Sequence, residues 1–398
     1  MMKLPVYMDY HATTPVDSRV LEAMLPFFTE NFGNAASRQH QFGWIADEAV
    51  ESARSTIAAG IGARAKEVVF TSGATEANNL ALKGVAEALR QKGNHLITAQ
   101  TEHKSVLDTC RKLERSGAQI TYLPVDESGL IDLDELEQAF TPKTILVSVM
   151  AANNEIGTLQ PLEAIGKLCR AKGVLFHTDA AQALGKIPID VESMHVDLLS
   201  FSGHKMYGPK GIGGLVVRSV GSHMKLAQQI DGGGHERGMR SGTLNVPGIV
   251  GLAKAMEISA ASMSEESQRL LRMRERMIAS FHERLEDVDL NGHPTNRLPN
   301  NLNVSFRHVD ENALMMSMKD VAVSTGSACS SATPEPSHVL KALGLPKDRQ
   351  TSAIRFGLGR FTTDEEVDYV IRRVVEEVEK LRALSRAHRR SKASFVQH

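Results

Sequence analysis

A serine, a histidine and a lysine arrive together at Ser202-Gly203-His204-Lys205, where the apolar run Leu198 to Phe201 gives way to a turn containing Gly208 and Gly211. A lysine amine is nucleophilic only when deprotonated, and partial burial at a strand end favours that form, so Lys205 is a candidate Schiff-base former. Ser202 and His204 beside it can donate hydrogen bonds to a phosphate. The chemistry suggested is the capture of an aldehyde cofactor that carries a phosphate group. A lysine in a solvated turn is the competing reading, and the other stretches must decide between them.

Four such stretches carry suitable residue types. At Thr71-Ser72-Gly73-Ala74-Thr75-Glu76 a strand ends in a glycine turn and a helix opens at Ala74 and Thr75, giving backbone N–H groups, a hydroxyl and the positive end of a helix dipole to an anion. His103 follows the strand that ends near Thr98, and its flat imidazole can stack on an aromatic ring or pass protons. Asn153 and Asn154, after the strand Ile145 to Met150, either close a turn or orient a polar substrate. Asp179, in Phe176-His177-Thr178-Asp179-Ala180-Ala181-Gln182, needs a partner if it is buried, either a helix terminus or a protonated pyridine nitrogen.

A phosphate cradle, a stacking histidine, a carboxylate for a pyridine nitrogen, a polar amide and an amine are together what pyridoxal 5'-phosphate requires. The glycines at 208, 211, 213 and 214 make no dinucleotide fingerprint, because the strand-like Leu215-Val216-Val217 follows them where that motif opens a helix. The sequence moreover resembles the cysteine desulfurases of the NifS/IscS group, in the class V aminotransferase branch of the fold-type I enzymes, from Tyr7-Met8-Asp9-Tyr10-His11 to about Leu384. The motifs carrying the resemblance include Ser72-Gly73-Ala74-Thr75-Glu76, Thr101-Glu102-His103, Asn153-Asn154-Glu155-Ile156-Gly157, Ser202-Gly203-His204-Lys205, Arg240-Ser241-Gly242-Thr243, Ser327-Ala328-Cys329 and Ile354-Arg355-Phe356.

That resemblance implies roles. Lys205 would bond the cofactor aldehyde and later act as base, His103 would stack on the ring, Asp179 would pair with the pyridine nitrogen and Gln182 with the phenolate oxygen. Ala74, Thr75, Ser202 and His204 would hold the phosphate, joined by Thr243 from the other subunit of a homodimer. Asn154, also against the cofactor, and Arg355 would hold the carboxylate of L-cysteine. Cys329 would be the nucleophile that takes the substrate sulfur as a persulfide and passes it to an acceptor protein, an iron–sulfur scaffold or a thiolation relay. Selenocysteine lyases and aminotransferases share the fold, and a non-catalytic sulfur-relay scaffold is the reading from a different class.

The elements that must position these residues alternate between strand-like and helical patterns from about residue 68 to 218, as expected for a three-layer α/β domain with a mostly parallel sheet. A long charged helix and shorter strands, Asn301 to Phe306 and Val321 to Ser324, then suggest a smaller α+β domain. The expected division is 15–260 for the large domain, 1–14 and 261–384 for the small one carrying the Cys329 loop, and a basic, mobile tail at 385–398. That tail replaces the proline- and tryptophan-containing scaffold-docking tail of the family's housekeeping branch. A chain of 398 residues with 42% hydrophobic content can bury more than one core. Its 46 basic and 47 acidic side chains give no reason to expect nucleic acid as a partner. Three cysteines with no CxxC pair argue against a disulfide framework or a cysteine metal site, and the absence of a long apolar run leads to the expectation of a cytoplasmic protein without a membrane anchor.

Overall fold

In a computed structural model, the chain is described over residues 3–218, 226–325 and 337–395, with backbone alone from 386 onward. Cys329 lies outside the described residues. The central sheet has seven strands: β1 (Val68–Thr71), β2 (His95–Ala99), β3 (Gln119–Leu123), β4 (Thr144–Ser148), β5 (Leu175–Asp179), β6 (Leu198–Ser202) and β7 (Gly213–Val217), in the order β1-β7-β6-β5-β4-β2-β3. Neighbours from β6 to β3 are parallel, whereas β7 runs antiparallel to both β6 and β1. Six strands therefore point the same way, and their carboxyl ends share one edge of the sheet. Most strand residues are apolar and buried, as expected of a parallel sheet with both faces covered. In β1, β2, β4, β6 and β7 every residue is buried.

The helices that matter for the site begin where those strands end: α1 (Gln41–Ala59) packs beside the sheet, α2 (Ala74–Ala88) follows β1, α3 (Lys104–Arg115) follows β2, and α4 (Leu162–Lys172) leads into β5. A single helix of 39 residues, α5 (Val246–Arg284), about 58 Å long at 1.5 Å per residue, then joins two apolar cores. Its first half, with Ile249, Leu252 and Met256, packs in the core of the large sheet. Its second half, with Met273, Met277 and Phe281, packs with Val6, Met8 and the three-stranded sheet of β8 (Val288–Leu290), β9 (Asn301–Phe306) and β10 (Ala353–Gly357). The amino-terminal segment thus crosses from the second core to the edge of the first.

The last helix, α6 (Asp364–Phe395), departs from expectation by continuing past residue 384 into the basic tail. No glycine or proline interrupts the sequence from Asp364 to Phe395, and arginine, lysine and alanine are good helix formers, so nothing local ends it. Among the described residues, no helix is long and apolar enough to cross a membrane.

One buried ion pair holds the loop between β7 and α5 against the sheet. Arg54 on α1 meets both carboxylate oxygens of Glu236 at 2.8 Å, and Glu236 also accepts the Phe70 N–H at 2.8 Å. Glu236 and Arg237 both have positive φ, 48° and 57°, a conformation that costs energy outside glycine. Removing Glu236 strips buried Arg54 of its buried bidentate partner and leaves it the exposed Glu51 carboxylate at 2.9 Å, so Glu236→Ala should lower unfolding stability by about 3 kcal/mol in urea denaturation. A loss below about 1 kcal/mol, the size of an exposed pair, would contradict this anchoring role.

Candidate active site

The carboxyl edge of the sheet opens into a cavity of about 710 Å³ whose wall includes Thr75, His103, Asn154, Asp179, Lys205 and Arg355. Ala74, Gln182, Ser202 and His204 complete the set that the sequence singled out and the structure brings together. Thr243 stands apart from them, exposed in the loop before α5 and outside the cavity wall.

The anion end is built by a helix that no side chain caps. Its N-cap is Gly73, at φ 152°, which has no side chain to satisfy the first N–H groups of α2. Those donors, left over by any α-helix, face the cavity with Thr75 and Ser202. Close packing holds the turn in place, since a Cβ added at Gly213 of β7 would lie 2.7 Å from the Gly73 Cα. Glu76 is not available to repel an anion. Its carboxylate accepts the Ser72 N–H at 2.8 Å and pairs with Arg240 at 2.8 Å. His204, 3.1 Å from the Thr13 hydroxyl, has its pKa lowered to about 4 by burial and by Lys205, Lys210 and Lys186. A cluster with this excess of cations and donors is suited to a phosphate.

Lys205 ends the short 3-10 turn Gly203–Lys205 that follows β6, and its Nζ donates to the backbone oxygens of His11 at 2.6 Å and Ala12 at 2.8 Å. Behind it sits a second lysine that sequence reading missed. Lys186 donates from Nζ to Gln182 O at 3.0 Å and Oε1 at 3.1 Å, and burial, followed by the charge of Lys205, lowers its pKa to about 7. Gln182 in turn donates from Nε2 to His11 O at 2.9 Å. The His11 ring lies 3.0 Å from Gln182 Oε1, and burial together with Lys186 holds its pKa well below the ordinary range. His11 fell within a stretch noted for resemblance, but no local spacing tied it to Gln182.

Asp179 ends β5 at 5% exposure, with Oδ1 accepting the Ala181 N–H at 2.9 Å and Oδ2 accepting from Asn78 Nδ2 at 2.7 Å. Asn78 is another residue not singled out by sequence. It follows Thr75 by one helical turn on α2, the spacing that puts two side chains on one face. His103 is the N-cap of α3.

Arg355, on β10 and 3% exposed, reaches the cavity from the second core. Its guanidinium donates to Asn154 O at 2.8 Å, Asp9 Oδ1 at 2.8 Å and Ser324 Oγ at 3.2 Å, while its buried Nε has no partner among the described residues. A planar guanidinium held in a cavity wall is suited to a carboxylate. Asn154 contributes through its main chain to the arginine's placement as well as through its position in the wall. Beside it, Glu155 accepts a hydrogen bond from Ser337, and burial pushes its carboxyl pKa up to about 7.

The arrangement joins the uncapped end of a helix, a lysine amine, a buried carboxylate and an arginine guanidinium within one cavity. The sequence profile of the family described as Aminotransferase class-V matches residues 6–370. The chain belongs to that family. Its relatives include a cysteine desulfurase IscS of Anaeromyxobacter sp. strain Fw109-5, 58% identical over 384 residues that cover 96% of this chain and 95% of the relative. Among solved structures, a protein titled NifS-like superposes with a TM-score of 0.88 at 40% identity, covering 94% of this chain and 99% of that one. A second, titled SspA in complex with cysteine, has a TM-score of 0.79 at 40% identity and covers 90% and 100%. This class-V fold explains why the site uses strand ends: in parallel sheets that edge gathers side chains from several strands at once.

The two described cysteines of this class-V chain are poor nucleophiles. Cys110 on α3 and Cys169 on α4 are free and buried. Burial pushes the Cys110 thiol up to about 12 and raises that of Cys169 as well. Neither lines the cavity.

Proposed function

We infer that the protein is a pyridoxal 5'-phosphate-dependent cysteine desulfurase that converts L-cysteine to L-alanine and takes the sulfur onto Cys329 as a persulfide. The observation that carries the reading is the placement of Arg355 and Lys205 in the wall of one cavity, which lets a single amino acid have its carboxylate held while its Cα faces an amine. The uncapped α2 terminus, with Thr75, Ser202 and His204, has the donor set for the cofactor's phosphate, and the Asp179 carboxylate suits a protonated pyridine nitrogen. Gln182, which gives one Nε2 hydrogen to His11 O, would give the other to the phenolate oxygen. Once bound, the cofactor would supply an electron-accepting ring that stabilises negative charge at the substrate Cα.

The protein's own groups then divide the work. Arg355 fixes the substrate carboxylate, with Asp9 and Asn154 O keeping its guanidinium in place. Lys205 would hold the cofactor through its aldehyde, and its Nζ, once free, would take the proton from the substrate Cα. The Cys329 thiolate attacks the substrate Sγ; an S–S bond forms as the Cβ–S bond breaks, the released electron pair is taken up with a proton at Cβ, and alanine leaves. Ser324, at 3.2 Å from Arg355, and Ser337, in the cavity wall, bracket the segment to which Cys329 belongs. Five residues of extended chain reach about 16 to 18 Å, enough to bring a thiol from Ser324 into such a cleft.

The sulfur would pass on to an acceptor protein. A homodimer would complete the site by supplying Thr243 from the second subunit. An exposed apolar surface supports that pairing: Phe28 is 56% exposed, Phe32 64%, Phe42 50% and Trp44 56%, and the Phe32 and Phe42 rings are 5.2 Å apart.

Alanine and sulfide formation from L-cysteine by the cofactor-loaded protein tests the reading directly, and a protein that binds the cofactor but forms no alanine contradicts it. Arg355 gives a sharper expectation. Loss of a charge-assisted hydrogen-bond pair worth about 1.5 to 3 kcal/mol should raise KM for L-cysteine in Arg355→Ala by about 10- to 100-fold. Arg355→Lys should recover only part of this, because an ammonium lacks the planar fork. An unchanged KM in steady-state assays would remove Arg355 from substrate binding.

A further inference from the structure

We propose that Asn78 and Ser105 are positioning residues that fix the tautomer of His103, holding its Nδ1 as an acceptor so that the neutral ring carries its hydrogen on Nε2. The consequence for the reaction rests on the desulfurase reading, but the tautomer itself does not. His103 Nδ1 accepts the backbone N–H of Ser105 at 3.1 Å, and a backbone N–H can only donate. The Ser105 hydroxyl lies 2.8 Å from the same nitrogen. A hydroxyl can donate or accept, so its role is set by what else it touches.

Asn78 supplies a donor to that hydroxyl. Its Nδ2 lies 2.8 Å from Ser105 Oγ and 2.7 Å from Asp179 Oδ2. A carboxylate oxygen accepts, so the amide atom facing Asp179 must be the nitrogen, and its two hydrogens serve Asp179 and Ser105. Flipping the amide would set two acceptors against each other in a place where Asn78 is 0% exposed. The chosen orientation leaves Asn78 Oδ1 buried without a partner among the described residues, and the two donations by Nδ2 offset that desolvation. Because His103 Nδ1 already accepts a backbone N–H it carries no hydrogen, so the Ser105 hydroxyl, itself accepting from Asn78, donates its own hydrogen to that nitrogen. Two donors thus converge on one ring nitrogen, and the proton of a neutral imidazole resides on the other.

His103 therefore acts on the cavity as a hydrogen-bond donor through Nε2, which leaves proton abstraction to Lys205. The same Asn78 amide braces Asp179, so one buried side chain orients two groups assigned to the cofactor, at positions 101 and 25 residues away in sequence for Asp179 and His103 respectively, the second through Ser105.

The test is long-range proton–nitrogen correlation NMR on cofactor-loaded enzyme labelled with nitrogen-15 in the histidine rings, at a pH above the ordinary histidine range. The His103 signals are identified by their loss in His103→Gln. The expected pattern is a pyridine-type Nδ1 and a pyrrole-type Nε2. Ser105→Ala, which keeps the backbone N–H but loses the hydroxyl, should move both shifts part of the way towards the average of two tautomers and lower kcat about fivefold, the size of one lost hydrogen bond, at unchanged KM. Ser105→Thr, which retains the hydroxyl, should restore both. A pyrrole-type Nδ1 in the native enzyme, alone or together with a pyrrole-type Nε2, overturns the proposal, as do Ser105→Ala shifts identical to the native ones. The nitrogen shifts can also be read without added cofactor, so failure to bind pyridoxal phosphate would sink the functional reading without deciding the tautomer.

Discussion

Lys205→Ala should lower alanine formation from L-cysteine by more than about 10³-fold, because it removes both the proposed covalent anchor of the cofactor and the proposed base for the Cα proton. The geometry makes the loss specific. Lys205 Nζ is held by two backbone oxygens, 2.6 Å from His11 O and 2.8 Å from Ala12 O, at the end of a 3-10 turn. The nearest buried amine, Lys186, is committed to Gln182 and so is poorly placed to substitute. The phosphate donors and Asp179 remain in the variant, so it should still bind pyridoxal phosphate. Borohydride should fix the cofactor to the native enzyme and leave it dialysable from Lys205→Ala. Equal covalent fixation in the two proteins would move the anchor elsewhere.

Cys329→Ala is expected to separate the two halves of the chemistry. Cofactor absorbance and the spectral response to L-cysteine should persist, since these depend on the cavity wall. Sulfide release in the presence of a reductant should fall by about 10³-fold or more, as expected when a nucleophile is deleted. Cys110 and Cys169 offer no substitute: both are buried, and burial raises both thiol pKa values. Retention of full sulfide release would assign sulfur removal to a mechanism without a cysteine nucleophile, such as that of a lyase on the same fold.

Much of the sheet was legible because its strands are largely apolar runs, such as Val68 to Phe70 at one edge and Leu198 to Phe201 inside it, followed by glycine turns. The strand Gln119–Leu123 was not read, for a physical reason. It lies at the sheet edge with Gln119 exposed and its middle residues half-buried, so neither an apolar run nor clean alternation marks it. The reversal at Gly213–Val217 left a signal that could have been used: only residues 203–212 separate it from the preceding strand, too few for a helical crossover of about a dozen residues or more. The continuation of the last helix to Phe395 was visible in the absence of glycine and proline, but the lack of apolar periodicity drew attention away from it.

The site divides in the same way. Thr75, Asp179, Ser202 and Lys205 could be found because each sits at the carboxyl end of a strand that the pattern already marked. His11, Asn78 and Lys186 were silent because their significance lies in contacts rather than spacing. His11 meets Gln182 across 171 residues, and Asn78 meets Asp179 across 101. A polar residue in an amino-terminal turn or on a helix face has no local mark that distinguishes a buried partner from a solvated side chain.

The most direct test follows the sulfur atom itself. Cofactor-loaded enzyme is mixed with one equivalent of L-cysteine carrying isotopically labelled sulfur, without an acceptor or reductant, and the protein is alkylated, digested and mapped by mass spectrometry. One labelled sulfur per alanine formed should appear on the peptide containing Cys329, and none on those containing Cys110 or Cys169. Stoichiometric alanine with the label released as free sulfide and Cys329 unmodified would contradict the account.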